Sequence, residues 1–235
     1  MKKFGFTLSE LLITVGIVGV VAALTAPAVS NIMPDRNKMM FMKNYKELTT
    51  ITEKLLQDPE LYYTTYTLDA DGKKVPTCVG LACDTYESMK TEHENVDFNS
   101  IHKYGYLLAN YLGVDMDNNF GGNVDSCNFT TDSGVHWAVY NDSSDALEQV
   151  HITLDADEQG KVYDNLDEKE VKKCKSYLFN IDQYGAVTPA DSLSKAYLLN
   201  PNNMNNKKKD LACAKAIKAD TVGKSPADIC AELDD

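Results

Sequence analysis

Positive charge is scarce in this chain. Its 235 residues hold 23 Lys and Arg against 35 Asp and Glu, a formal net charge of −12. A surface of that sign repels phosphate, so no broad nucleic-acid surface is expected. The basic clusters, Lys2-Lys3 and Lys207-Lys208-Lys209, are small and read as topological or solvated features. Cysteine is missing before residue 78, and none of the six cysteines forms a Cys-x-x-Cys pair. The histidines do not sit at zinc-finger spacing from them, so a zinc module is not indicated. There is no nucleophile motif, no paired His–acid signature and no Gly-rich phosphate loop, which points away from an enzyme. Tryptophan occurs once, as Trp137, and is expected in a hydrophobic core.

What the chain does have is a long apolar run near its start. Leu11 to Ala26 is broken only by Thr14 and Thr25, with glycines at 16 and 19. It follows the basic Met1-Lys-Lys-Phe-Gly5 and then Phe6-Thr-Leu-Ser-Glu10. The 24 residues from Phe6 to Val29 are enough to cross a hydrocarbon core of about 30 Å as a helix. Lys2 and Lys3 would hold the N-terminus in the cytoplasm, giving a single pass through the inner membrane with the bulk of the chain outside. Glu10 fits neither an ordinary secretory signal nor a plain anchor, since a carboxylate at membrane depth costs about 2.5–3.5 kcal/mol.

Gly5-Phe6-Thr7-Leu8-Ser9-Glu10-Leu11 resembles the cleavage and methylation motif of type IV prepilins and of the pseudopilins of type II secretion. The resemblance covers about the first 30 residues. It implies a prepilin peptidase that cuts after Gly5 and methylates the new amine of Phe6. It maps the family's assembly glutamate to Glu10 and its helix-kinking proline to Pro27. Ser9 departs from the usual apolar residue without touching the cut site. The resemblance further implies other pilin or pseudopilin subunits and an inner-membrane assembly platform as partners, with membrane lipid around the helix before assembly. The physics is consistent with these roles. A buried amine at Phe6 and a buried carboxylate at Glu10 each need a partner, either across subunits or one helical turn apart in one chain. Gly16, Gly19, Ala22, Ala23 and Ala26 allow helices to approach closely. Pro27 predicts a bend.

The helix is expected to run on from Phe6 to Gln57, about 80 Å long. Phe41, Tyr45, Leu48, Ile51 and Leu55 form one apolar stripe, thickened by Met33, Met39, Met40 and Met42, and Asp58-Pro59 stops it. Beyond it, Leu61–Leu68 reads as a strand ending in the turn Asp69–Gly72. A short helix is expected over Ile101–Leu112. Asn128–Thr131 with Val135–Tyr140 reads as one hairpin, Val150–Leu154 as the next strand, and Tyr177–Ile181 with Ala186–Thr188 as a second hairpin. Lys207–Ala219 and Pro226–Leu233 read as short helices. The expected fold is α+β: a long helical spine, transmembrane in its first half, packed on an antiparallel sheet. The segments are a leader at 1–5, the helix at 6–58 with its membrane and assembly part at 6–29, a head at 59–190 and a helical C-terminal appendage at 191–235.

An even cysteine count in a polar region suggests oxidised pairs and export. The six can pair in many ways. Cys213–Cys230, on the two C-terminal helices, is the favoured bridge; Cys78–Cys83 and Cys127–Cys174 follow by elimination. Acidic turns at Asp69 and Asp115 read as turn chemistry first. A third turn, Asp155-Ala-Asp157-Glu-Gln159-Gly160, matches the first half of an EF-hand loop, but Leu166 stands where a ligating Glu belongs. Asp155, Asp157, Gln159 and Asp164 are therefore candidate calcium ligands. His136 and His151 lie on adjacent predicted strands and could pack or bind metal. Two functions compete. One is a minor pilin or pseudopilin whose activity is filament assembly in the periplasm or at the cell surface. The other is a membrane-anchored adhesion or binding protein that uses a pilin-like anchor.

Overall fold

In a computed structural model the described residues are 9, 11–21, 35–62, 64–83, 101–141, 148–155, 161–167 and 170–233. Residues 11–21 are helical (α1), and a second helix, α2, runs Arg36–Gln57. The expected single helix through Gln57 is corrected here. Asp35 sits in extended conformation, and its carboxylate accepts from the amides of Asn37 and Lys38, so α2 begins afresh at an N-cap. The expected end holds, with Asp58 as the C-cap.

α2 buries Phe41, Asn44, Leu48, Ile51, Thr52 and Leu55, spaced three or four apart as a core-facing stripe requires. Tyr45 is half-buried beside them, while Met39 points to solvent rather than thickening the stripe. The stripe lies on a six-stranded antiparallel meander whose spatial order is its chain order: β3 Phe120–Gly122, β4 Ser126–Thr130, β5 His136–Asn141, β6 Glu148–Thr153, β7 Ser176–Ile181 and β8 Val187–Pro189. Register aligns Phe129 with Trp137, Trp137 with Ile152, and Ile152 with Tyr177, so alternate residues of four strands build one apolar face. Phe41 of α2 meets that face edge-on at Tyr177 (4.9 Å) and stacks at Phe179 (5.6 Å). Trp137 is fully buried and stacked on Phe129, as expected of it.

Both predicted hairpins form, and the turn Asp182–Gly185 has a reason in α2. Gly185 takes φ +81°, and a Cβ there would strike Leu56. A smaller hairpin, β1 Tyr66–Leu68 with β2 Lys74–Pro76, stands apart from the main sheet and turns through Asp69–Gly72. Helix α3 (Lys103–Tyr111) fills the gap between α2 and β4. At the C-terminus α4 (Ser192–Leu199), α5 (Lys207–Ala219) and α6 (Pro226–Ala231) pack together, and α4 also lies on β7 and β8.

Two of the expected bridges are present, Cys78–Cys83 and Cys213–Cys230. The third is overturned: Cys127 and Cys174 are buried and form no disulfide. Cys127 is on β4 and Cys174 precedes β7, three strands away. At about 4.8 Å per strand that is roughly 14 Å, twice the reach of a disulfide. Cys127 instead fills the hollow left by Gly105 of α3, where any Cβ would collide with its sulfur. Burial pushes its thiol up to about 12, so it is inert as a nucleophile.

Candidate functional site

The segment that carried the functional reading is α1. Gly5, Phe6, Glu10 and Pro27 lie outside the described residues. What is described, residues 11–21, is a helix with every side chain exposed, including Leu12, Val15 and Val18, each more than 60 % accessible. Apolar residues occupy all sides, so no single face is turned to a core of this chain. Thr14 is the only polar side chain in the stretch, and it folds its hydroxyl back onto the carbonyl of Leu11 at 2.9 Å. The helix thus presents no unspent hydrogen-bonding group along its side. A Cβ added at Gly16 or Gly19 would meet nothing within 4 Å, so nothing within the chain requires their smallness. Eleven residues rise about 16 Å. Among the described residues no helix is long and apolar enough to cross a membrane.

The C-terminal appendage holds the start of α2. Lys38 is fully buried, with its Nζ 2.8 Å from Asp210 Oδ2 of α5, 3.0 Å from the Asn203 carbonyl and over the ring of Tyr197. The backbone amide of Asp35 donates to Met204 O at 2.7 Å. A buried Lys–Asp pair with its hydrogen bonds filled locates one register for α2 against α5. Cys213–Cys230 then ties α5 to α6 behind that contact. This junction lies where the head-bound helix gives way to the segment leading back to α1.

Of the calcium candidates, Asp155 and Asp164 are among the described residues. Asp155 pairs with Lys175 at 2.8 Å, and Asp164 Oδ2 accepts from the Ser192 amide at 3.0 Å; Asp157 and Gln159 lie outside the described residues. Among the described residues no cluster of three or more His, Cys, Asp or Glu side chains is placed to hold a metal ion. Asp69 and Asp115 serve their own turns: Asp69 accepts from the amides of Asp71 and Lys73, and Asp115 from those of Asp117 and the Asn118 side chain. The Asn118 contact holds the Asp115 carboxyl below the usual carboxylate range.

His136 and His151 share the sheet face opposite α2. His136 alternates with Trp137 along β5, and Ala138 pairs with His151. His136 Nδ1 is 3.1 Å from Thr130 Oγ1, and burial lowers the basicity of both rings. Sequence reading missed His102. Its Nδ1 accepts from the Gly105 amide, capping α3, while its Nε2 reaches Asn141 Oδ1 (2.8 Å) and Glu148 Oε2 (3.2 Å). The signal available was a His two residues before an apolar helical run, a weak N-cap by propensity.

Residues 1–26 match the prokaryotic N-terminal methylation motif, the signature of the prepilin-type processing of type IV pilins and pseudopilins. No curated protein matches the chain, and no solved structure does. The motif supports a pilin-like or pseudopilin-like protein in general. It implies processing by a prepilin peptidase, anchoring in the membrane, and assembly with other pilin subunits.

Proposed function

We propose that this chain is a structural subunit, a minor pilin or pseudopilin, of a type IV pilus or a type II secretion-like filament. Its activity is assembly rather than catalysis. A prepilin peptidase cuts after Gly5 and methylates Phe6. Residues 6–29 then hold the subunit in the inner membrane with the head outside, until the assembly platform draws the helix into a filament.

One observation carries the reading beyond the motif: over residues 11–21 α1 is apolar on every side, closes its one hydroxyl on itself, and leaves its side chains exposed. Such a helix needs lipid or other helices around it. Gly16 and Gly19, which nothing in the chain crowds, suit close approach by a neighbour's helix. In that setting Glu10 meets the Phe6 amine of the next subunit.

Mass spectrometry of the mature N-terminus tests the processing step. The expected species begins at N-methylated Phe6. A chain that keeps residues 1–5 in a cell with active prepilin peptidase overturns it. Assembly is tested by Glu10→Ala, which is expected to leave the protein in the membrane and remove it from sheared filaments; normal incorporation overturns the intersubunit role.

A further inference from the structure

The face of the sheet turned away from α2 carries a hollow of about 480 Å³. Its floor is Ala138, and Asn128, His136, Tyr140, Gln149, His151 and Thr153 stand around it. The volume lies in the range of small-ligand sites, and the register explains the shape. Asn128 pairs with Ala138 and Ala138 with His151, so one small residue sits among larger neighbours on three strands.

The chemistry of the wall is unusual for this chain. A quarter of the sequence is charged, yet none of the seven lining residues bears a formal charge. Burial keeps both imidazoles below the ordinary histidine range, so they stand uncharged at neutral pH. The polar groups are also held in place. Gln149 donates through Nε2 to Asn180 Oδ1 at 3.3 Å, and its Oε1 lies 3.5 Å from His151 Nε2, which fixes the orientation of its amide. The ring of His151 meets Tyr140 edge to face at 5.5 Å and props it upright on the rim. Tyr140 remains 43 % exposed and Asn128 is exposed, so a ring face and an amide are open to a ligand.

We propose that this hollow binds an uncharged, hydroxyl-rich ligand, a neutral saccharide unit. The exposed Asn128 amide offers a donor beside an acceptor, which is what vicinal hydroxyls require, while Gln149 and the two imidazoles are oriented by Asn180, Thr130 and one another. The negative face of the Tyr140 ring attracts the C–H-bearing face of a sugar ring. The absence of charge rejects anions, cations and acidic polymers alike, because a desolvated ion would find no counter-charge. Side chains already oriented by Asn180, Thr130 and one another lose little freedom on binding. The hollow opens on the side of the sheet opposite the spine, so the helix-to-helix packing of the proposed assembly leaves it accessible. The site itself does not depend on that assembly.

The test uses the full-length protein in a phosphocholine detergent, which avoids sugar headgroups. Neutral tetrasaccharides of glucose, of galactose and of N-acetylglucosamine are titrated by calorimetry, with saturation-transfer NMR to find the contacted protons. At least one is expected to bind saturably. Tyr140→Ala and Asn128→Ala, both at exposed positions, are expected to weaken it at least about tenfold and about threefold respectively. Tyr184→Ala, an exposed aromatic in the β7–β8 turn, is expected to change nothing. The proposal is overturned if none of the three sugars binds, if binding survives Tyr140→Ala, or if Tyr184→Ala weakens it equally. Saturable Zn²⁺ binding lost in His136→Ala, without sugar binding, would make the hollow a metal site and also overturn it. Any of these failures leaves the assembly reading standing, since that rests on α1 and the N-terminal motif.

Discussion

Helices α1 and α2 are both rich in Leu, Ile, Val or Met, and they solve opposite problems. α1 has no charged side chain among residues 11–21, and all of those residues are exposed. α2 alternates charge and apolar residues at helical spacing and buries one face under the sheet. Amphipathicity marks the helix that belongs to this head; its lack marks the helix that belongs to another environment. The two are separated at Asp35, where a side-chain cap starts α2 independently of what precedes it.

That contrast can be broken most sharply at the buried ion pair. Lys38→Ala leaves Asp210 buried without its cation and is expected to cost the head about 4 kcal/mol, read by urea unfolding. Leu48→Ala, in the fully buried stripe, is expected to cost about 3 kcal/mol by the same measurement, through lost transfer energy and the cavity left behind. Replacing both Cys213 and Cys230 with Ser opens a loop of sequence separation 17 and is expected to cost about 3 kcal/mol or slightly less. The deficit should vanish when wild type is compared under reducing conditions.

Acid sharpens the comparison with a smaller effect, because α1 as described has nothing to titrate. His136 and His151 are held below the usual histidine range by burial, so the unfolded chain takes protons first. Their contribution to head stability is therefore neutral above the unfolded pKa of about 6.5 and turns unfavourable as pH falls below it. Asp191, raised by burial, works in the opposite sense at lower pH, in the carboxylate range. Thermal melts between pH 7.5 and 5.5 should decline, and His136→Gln with His151→Gln should flatten the decline. The smallest effect is the most diagnostic: Val18→Ala should leave the urea midpoint of the head unchanged, because Val18 is 66 % exposed and removing its methyls opens no cavity.

Much of the sheet was legible. Alternation in 126–154 and turn residues at Asp132-Ser-Gly134 and Asp182–Gly185 specify hairpins locally, and the meander asks for nothing longer in range. The start of α2 was also written in the sequence, as Pro34-Asp35 before a helical run, but the stronger apolar pattern on either side masked it. α4 was missed although Asp191 caps it and Leu193, Ala196 and Tyr197 recur at helical spacing; the run is only eight residues long. β3 could not be found, since Phe120-Gly-Gly is extended only because β4 pairs with it. The wrong disulfide came from elimination, which knows parity and not distance. Placement of His136 opposite Trp137 follows from strand alternation alone, whereas bringing His151 beside it needs the β5–β6 register, which no local pattern encodes.

The Lys38–Asp210 contact spans 172 residues, in a molecule whose sheet pairs each strand with the next. Neighbouring strands can zip as they emerge, because each closure is short. α2 leaves the ribosome before any of the sheet that will cover it, and its clasp waits for nearly the last helix. Completion of the head is then a C-terminal event: a chain stopped before residue 210 would carry every strand and still leave Lys38 without its buried carboxylate.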